Sequence, residues 1–221
     1  MNPIKACIFD LDGVVVDTAK YHYLAWKRLA HELGFEFKEI HNERLKGVSR
    51  MRSLEILLEV GGLSFPLERM EQMATQKNEW YLEYIRKMTP DEILPGAKEL
   101  LEELRLHNIK VALGSASKNA PLILERIGLA NHFDAILDGN SVSVAKPAPD
   151  IFLVAAKALG ELPEHCIVFE DAEAGIDAAI SAGMRCVGIG SPDNLGRANL
   201  VIPNLKQFTY DNLKDYFLSH K

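Results

Sequence analysis

Asp10 and Asp12 stand one residue apart at the end of a short apolar run, Ala6-Cys7-Ile8-Phe9, and Gly13 follows at once. Charges at the mouth of a buried segment are costly without partners, so two carboxylates there ask for a function. Residues two apart on an extended chain point the same way, which lets both side chains face one reacting centre, and glycine permits the sharp turn after them. Three further clusters lie downstream: Ser115-Ala116-Ser117-Lys118-Asn119, Lys146-Pro147 within Val144-Ala145-Lys146-Pro147-Ala148-Pro149-Asp150, and Glu170-Asp171. Carboxylates, a hydroxyl beside helix-start amides and a lysine suit the movement of a phosphoryl group with Mg²⁺, which takes a few oxygen ligands together with waters and phosphate oxygens.

Physical logic distributes the roles. A carboxylate that attacks phosphorus forms an aspartyl-phosphate and divides one difficult transfer into two easier ones. Asp10, nearest the strand end, is the candidate nucleophile. Asp12, on the same side, can protonate the leaving oxygen and later deprotonate the incoming one. Negative charge on the moving phosphoryl must be neutralised, a task for Lys146, Ser115 and the amides around Ala116, with Glu170 and Asp171 on the metal side. Each cluster has a plainer reading. Asp-x-Asp can cap or turn, Ser115 to Asn119 can cap a helix, Lys146 can be a loop lysine, and Glu170-Asp171 can complement a helix dipole. All four, however, sit just past the end of a predicted core strand, where ligands bind in open α/β sheets.

The elements that must position them alternate. Ala6 to Phe9 reads as a parallel strand covered on both faces. From Asp17-Thr18, a good helix start, to about Met88 the pattern is helix after helix, with Tyr23, Leu24, Trp26, Lys27, Leu29 and Ala30 at helical spacing. After Ile93-Leu94-Pro95-Gly96 come strands at 110–114, near 133–137, at 166–169 and at 185–189. Helices through Leu100 to Leu104, Pro121 to Ile127, Ile151 to Ala156 and Ala174 to Ile180 intervene. Such alternation means a parallel sheet with right-handed crossovers. The expected fold class is therefore α/β: a catalytic core of residues 1–17 and 93–221, interrupted by a small helical cap at 18–92. Linkers near Asp17 and Pro95 are expected to act as a hinge.

Composition narrows the function. A chain of 221 residues, 48% hydrophobic and 25% charged, has the makings of a large core plus a small second domain. Its net charge of -6, without a basic stripe, argues against nucleic-acid binding. Cys7, Cys166 and Cys186 each lie in an apolar run, which suits buried reduced thiols and a cytoplasmic setting. The N-terminus lacks a signal pattern, and no apolar run approaches the roughly 18 residues of a membrane span.

Taken together, Asp10-Leu11-Asp12-Gly13, Ser115, Lys146 and Glu170-Asp171 resemble the signature of the haloacid dehalogenase superfamily, whose Rossmann-like core carries a small helical cap after the first strand. Within it the chain resembles the β-phosphoglucomutases. The motifs that carry this are Asp17-Thr18-Ala19-Lys20-Tyr21-His22 with Trp26; Leu45-Lys46-Gly47-Val48-Ser49-Arg50 with Ser53; Lys77-Asn78; and the Ser115 and Lys146 clusters. The resemblance spans nearly all but the last twenty or so residues. It implies Asp10 as phosphorylated nucleophile, Asp12 as general acid/base and backbone Mg²⁺ ligand, and Asp10, Glu170 and Asp171 around the metal. It further implies that Ser115 and Lys146 hold the transferring phosphoryl, while Arg50 grips the sugar's other phosphate with Ser117, Lys118 and Asn119. Gly47, Val48 and Ser49 would line the sugar, and Thr18 and His22 would help position Asp12. Trp26, Ser53, Lys77 and Ala116 join the expected substrate contacts. Trp26 and Tyr23 also fit the cap's own core, Lys77 also reads as a solvated surface lysine, and Arg52 leaves open which arginine takes the phosphate.

The activity so implied is interconversion of β-D-glucose 1-phosphate and D-glucose 6-phosphate through β-glucose 1,6-bisphosphate, by a monomer acting on a small sugar phosphate with no membrane or nucleic-acid partner. Hydrolysis of a sugar phosphate by the same aspartyl-phosphate route is the alternative. A non-catalytic sugar-phosphate sensor fits intact Asp10 and Asp12 poorly. A phosphonatase would need a cap lysine in an imine-forming context, and the lysine, serine and Mg²⁺ set suits phosphate better than a halide.

Overall fold

The computed structural model describes residues 3–45 and 48–219, with the side chains of 218 and 219 excepted. Its elements in chain order are β1 (Ala6–Phe9), α1 (Ala19–Glu32), α2 (Glu39–Asn42), α3 (Arg50–Gly61), α4 (Leu67–Ile85), α5 (Ala97–Leu106) and β2 (Lys110–Gly114). Then follow α6 (Ala120–Arg126), β3 (Ala135–Leu137), α7 (Asp150–Leu159), β4 (Cys166–Glu170), α8 (Glu173–Ser181), β5 (Arg185–Ile189), α9 (Pro192–Leu195), β6 (Leu200–Ile202) and α10 (Tyr210–Ser219). Two compact units result, residues 1–17 with 89–221 and residues 18–88. The chain thus returns to the first unit at Thr89, four residues before the expected boundary. The 3₁₀ turn Pro90–Glu92 leads directly into Ile93, which bridges to Val16, and the Leu94 amide donates to the Val15 carbonyl at 2.9 Å.

In the first unit six parallel strands run in the order β3-β2-β1-β4-β5-β6. Connections from β1 proceed to one side as far as β3, and the chain then crosses to β4 on the other flank of β1. The order of strands reverses between β1 and β4, the place where an open sheet offers a crevice at its carboxyl end. Both strands are buried throughout, as their apolar sequences require. One face packs against α7 and α8 through Ala6, Ile8, Phe152, Ala155, Val168 and Ile176. Register places Phe9 beside Phe169, their rings stacked at 4.5 Å, and the Asp10 amide continues the ladder by donating to the Phe169 carbonyl at 2.9 Å. Asp10 and Glu170 therefore emerge side by side.

The second unit is helical. Ala25, Trp26, Leu29 and Ala30 form the buried stripe of α1, and Met73, Ala74, Lys77, Trp80, Tyr81 and Ile85 that of α4. Leu54 and Leu57 on α3 complete its interior. Among the described residues no helix is long and apolar enough to cross a membrane. The three cysteines are buried thiols, and burial pushes that of Cys166 up to about 11.

Candidate active site

Three of the four clusters predicted on the sheet unit meet at the β1/β4 crevice. Lys146, on the loop before α7, donates from Nζ to Asp10 Oδ1 at 2.6 Å and to Glu170 Oε1 at 2.9 Å. All three are buried, with exposures of 7% for Lys146, 7% for Asp10 and 1% for Glu170. Burial works against the lysine's charge, but the two carboxylates outweigh it and raise its pKa, so the ammonium is fixed. Burial and the neighbouring Asp10 push Glu170 upward, with Lys146 offsetting part of that rise.

Asp171 is partly buried beside them. One carboxylate oxygen each from Asp10, Glu170 and Asp171 lie within 4.8 Å of one another. Lys146 bonds two of these three carboxylates, and an all-oxygen donor set of this size fits Mg²⁺. Gly13 makes the approach possible. Its φ of 77° is one that glycine adopts freely, and a Cβ there would lie 2.0 Å from Asp171 Oδ2. Asp12, partly buried, begins the tight turn in which the Leu11 carbonyl accepts from the amides of Val14, Val15 and Val16.

The fourth cluster forms a loop after β2. Ser115 is 1% exposed, its amide donates to Leu137 at 3.0 Å, and its Oγ accepts from the Ser117 amide at 3.1 Å. Ser117 Oγ in turn accepts from the Asn119 amide at 3.3 Å. Ala116 and Lys118 are exposed, Ser117 and Asn119 partly so. Asn119 occupies the cap position of α6 but makes no side-chain cap bond, so this loop organises itself rather than capping the helix. Gly139 presses on it, since a Cβ there would meet the Ala116 carbonyl at 2.3 Å.

The helical unit carries a second set. Lys77 is 1% exposed, which corrects the surface reading. Its Nζ lies 2.8 Å from His22 Nδ1 and over the rings of Trp26 and Tyr81, at 4.5 and 4.9 Å. An ammonium donating to Nδ1 makes that nitrogen the acceptor and leaves the proton on Nε2. The His22 ring also packs on Tyr81, with centroids 4.1 Å apart. Trp26, 1% exposed, is the floor beneath Lys77, so the expected substrate contact at this residue is replaced by a place in the interior. Thr18 and Ser53 are buried, Val48 is partly buried, and Gly47 lies outside the described residues. Ser49 caps α3 by accepting from the Arg52 amide at 3.3 Å. Arg52 is held by Glu55 at 2.8 Å and Glu59 at 3.3 Å. Arg50 has no carboxylate partner among the described residues and is partly buried, which lowers its pKa without discharging it. Of the two arginines, Arg50 is the one available to an anion.

Tyr81 stands four residues from Lys77 just as Trp26 stands four from His22, a spacing that places each pair on one helix face and is the signal in the sequence for this cluster. Burial, then Lys77 and Arg50, hold His22 well below its ordinary 6.5. Folding therefore excludes a proton that the unfolded chain accepts. This contribution to stability is full above about pH 6.5 and is lost as pH falls below it, at up to about 1.4 kcal/mol per pH unit. Urea unfolding between pH 7.5 and 5.5 is expected to show a shallower loss in His22→Gln than in the parent; equal slopes would mean His22 takes up its proton in the folded state.

Residues 4–183 match the model of the haloacid dehalogenase-like hydrolases. A β-phosphoglucomutase of Bacillus subtilis is 45% identical over 214 residues, covering 96% of this chain and 95% of its own. The crystal structure of a β-phosphoglucomutase from Clostridium difficile superposes with a TM-score of 0.93 at 45% identity, over 98% of both chains. A phosphorylated carbohydrates phosphatase of Thermotoga maritima is 32% identical over 200 residues, 89% of this chain and 90% of that one.

Proposed function

The chain belongs to the haloacid dehalogenase-like hydrolases, and from that premise we propose that it interconverts β-D-glucose 1-phosphate and D-glucose 6-phosphate, the reaction of a β-phosphoglucomutase. Phosphorylated Asp10 yields its phosphoryl to the 6-hydroxyl of the sugar as Asp12 accepts that hydroxyl's proton, giving β-glucose 1,6-bisphosphate. The bisphosphate turns over. An Asp10 oxygen then attacks the phosphorus at C1, the bond from phosphorus to the C1 oxygen breaks, and Asp12 returns the proton to that oxygen. Lys146 and Ser115 hold the phosphoryl oxygens. Asp10, Glu170, Asp171 and the Asp12 carbonyl hold Mg²⁺, which when bound offsets charge on the phosphoryl in transfer.

A mutase needs a second phosphate site where a phosphatase needs one, and Arg50 is the observation that carries the distinction. It is an arginine at the first position of α3, partly buried and, among the described residues, without a carboxylate partner. Its planar fork can take two oxygens of the distal phosphate, with Ser117, Lys118 and Asn119 as further contacts. Gly47, Val48, Ser49 and Ser53 line the sugar. Thr18 and His22 orient Asp12, with Lys77 and Trp26 fixing His22 in its Nε2–H form. The helical unit serves as the cap, and buried reduced thiols support a cytoplasmic setting.

The deciding experiment supplies Mg²⁺, β-glucose 1-phosphate and a trace of β-glucose 1,6-bisphosphate, and follows glucose 6-phosphate and free phosphate together. Glucose 6-phosphate should dominate. Predominant phosphate release would instead make the chain a sugar-phosphate phosphatase.

A further inference from the structure

Gly175 sits in the first turn of α8, is buried, and has its amide donating to the Ala172 carbonyl at 3.0 Å. Its backbone is outside the positive-φ region, so conformation does not call for glycine, and glycine is a poor helix former. Space does call for it. A Cβ at this position would lie 1.5 Å from Glu170 Oε1, 2.0 Å from Cδ and 2.3 Å from Cγ. The glutamate side chain fills the volume that any other residue would claim. Nor can it swing aside at no cost. Oε1 accepts from Lys146 at 2.9 Å and Oε2 from the Asp171 amide at 2.9 Å, and a rotation large enough to clear a methyl group gives up both.

We infer that Gly175 is a positioning residue whose bare Cα seats the Glu170 carboxylate against Lys146 and within the acidic set formed with Asp10 and Asp171. A side chain at 175 unseats Glu170, opening that set and freeing one acceptor of the buried lysine. The consequence for metal rests on the reading of that set as the Mg²⁺ site; the seat itself rests only on contacts within the sheet unit. Gly175 touches neither the metal nor the substrate in this account and acts through Glu170 alone.

A double-mutant cycle tests it on the full chain, using the parent, Gly175→Ala, Glu170→Ala and the double variant. The two readouts are calorimetric titration with Mg²⁺ and thermal melting without metal. Gly175→Ala is expected to weaken Mg²⁺ binding at least about tenfold, as loss of an outer support does at other metal sites, and to lower the melting temperature. In the Glu170→Ala background the same change should leave the melting temperature level or raise it, because a methyl group then displaces nothing and alanine is the better helix former. Parental Mg²⁺ affinity in Gly175→Ala, or an equal melting loss in both backgrounds, would overturn the seat in favour of plain helix packing. Should Gly175→Ala fail to fold, a folded double variant upholds the seat and an unfolded one overturns it. A parent that takes up no Mg²⁺ refutes the metal reading, and the melting cycle then decides the seat by itself.

Discussion

Asp10→Asn is expected to abolish phosphorylation of the protein and lower turnover by at least about 10⁴-fold, the scale seen when a nucleophile is removed. The side chain keeps its shape and loses the oxygen nucleophile. Its neighbours make the loss separable from misfolding. One oxygen each of Asp10, Glu170 and Asp171 lie within 4.8 Å of one another in the β1/β4 crevice, so replacing one of the three carboxylates by a neutral amide relieves repulsion, while the amide oxygen still accepts from Lys146. The variant should thus melt at or above the parental temperature. Labelling with radioactive acetyl phosphate, followed by acid quench and hydroxylamine, measures the chemistry: the parent should carry label that hydroxylamine removes, and the variant none. Hydroxylamine-sensitive label on Asp10→Asn, or parental turnover, would move the nucleophile elsewhere.

That the crevice was legible in the sequence follows from periodicity and position. A four-residue apolar run can be buried on both faces only as a central strand, and polar clusters at the ends of such strands have one common destination. The strand and helix alternation after residue 95 placed β2, β4 and β5 within a residue of where they lie. β6 leaves no such trace in the sequence, because Leu200–Ile202 is three residues long and half-buried at the sheet's edge, too short for any period to register. Pairings were beyond reach as well. Sequence can nominate Lys146, Asp10 and Glu170, but the lysine's bond to both carboxylates depends on the β1/β4 register and on a loop 24 residues before Glu170 in sequence.

Lys77 shows the same gap more sharply. Read alone, a lysine on an amphipathic helix belongs to the solvated face, because burying an ammonium is expensive. Here two aromatic faces and a neutral imidazole surround it, an arrangement spread over α1 and α4 that neither helix announces by itself. Gly175 marks the converse case. Its sequence context is an ordinary helix start, and only the position of the Glu170 carboxylate discloses why no side chain is there.

Arg50→Ala should divide two activities that share Asp10. Losing a charge-assisted, two-pronged contact to a phosphate is worth about 2–4 kcal/mol, which lowers kcat/KM for the mutase reaction by roughly 30- to 1,000-fold. Acetyl phosphate has no second phosphate to grip, so phosphorylation of Asp10 by that donor should change by less than about threefold. Arg52→Ala is the internal control. Its guanidinium is exposed and already paired with Glu55 and Glu59, solvent-screened contacts of little energetic weight, and mutase activity should stay within about twofold of the parent. Arg50→Lys keeps the charge but not the fork and should fall between parent and alanine, with the shortfall appearing in KM for the sugar phosphate. If Arg50→Ala impairs both donors equally, the arginine supports the fold or the shared nucleophile and the distal phosphate lies elsewhere. If Arg52→Ala carries the loss instead, its carboxylate pairs open when substrate binds, and the second phosphate site lies two residues further along α3.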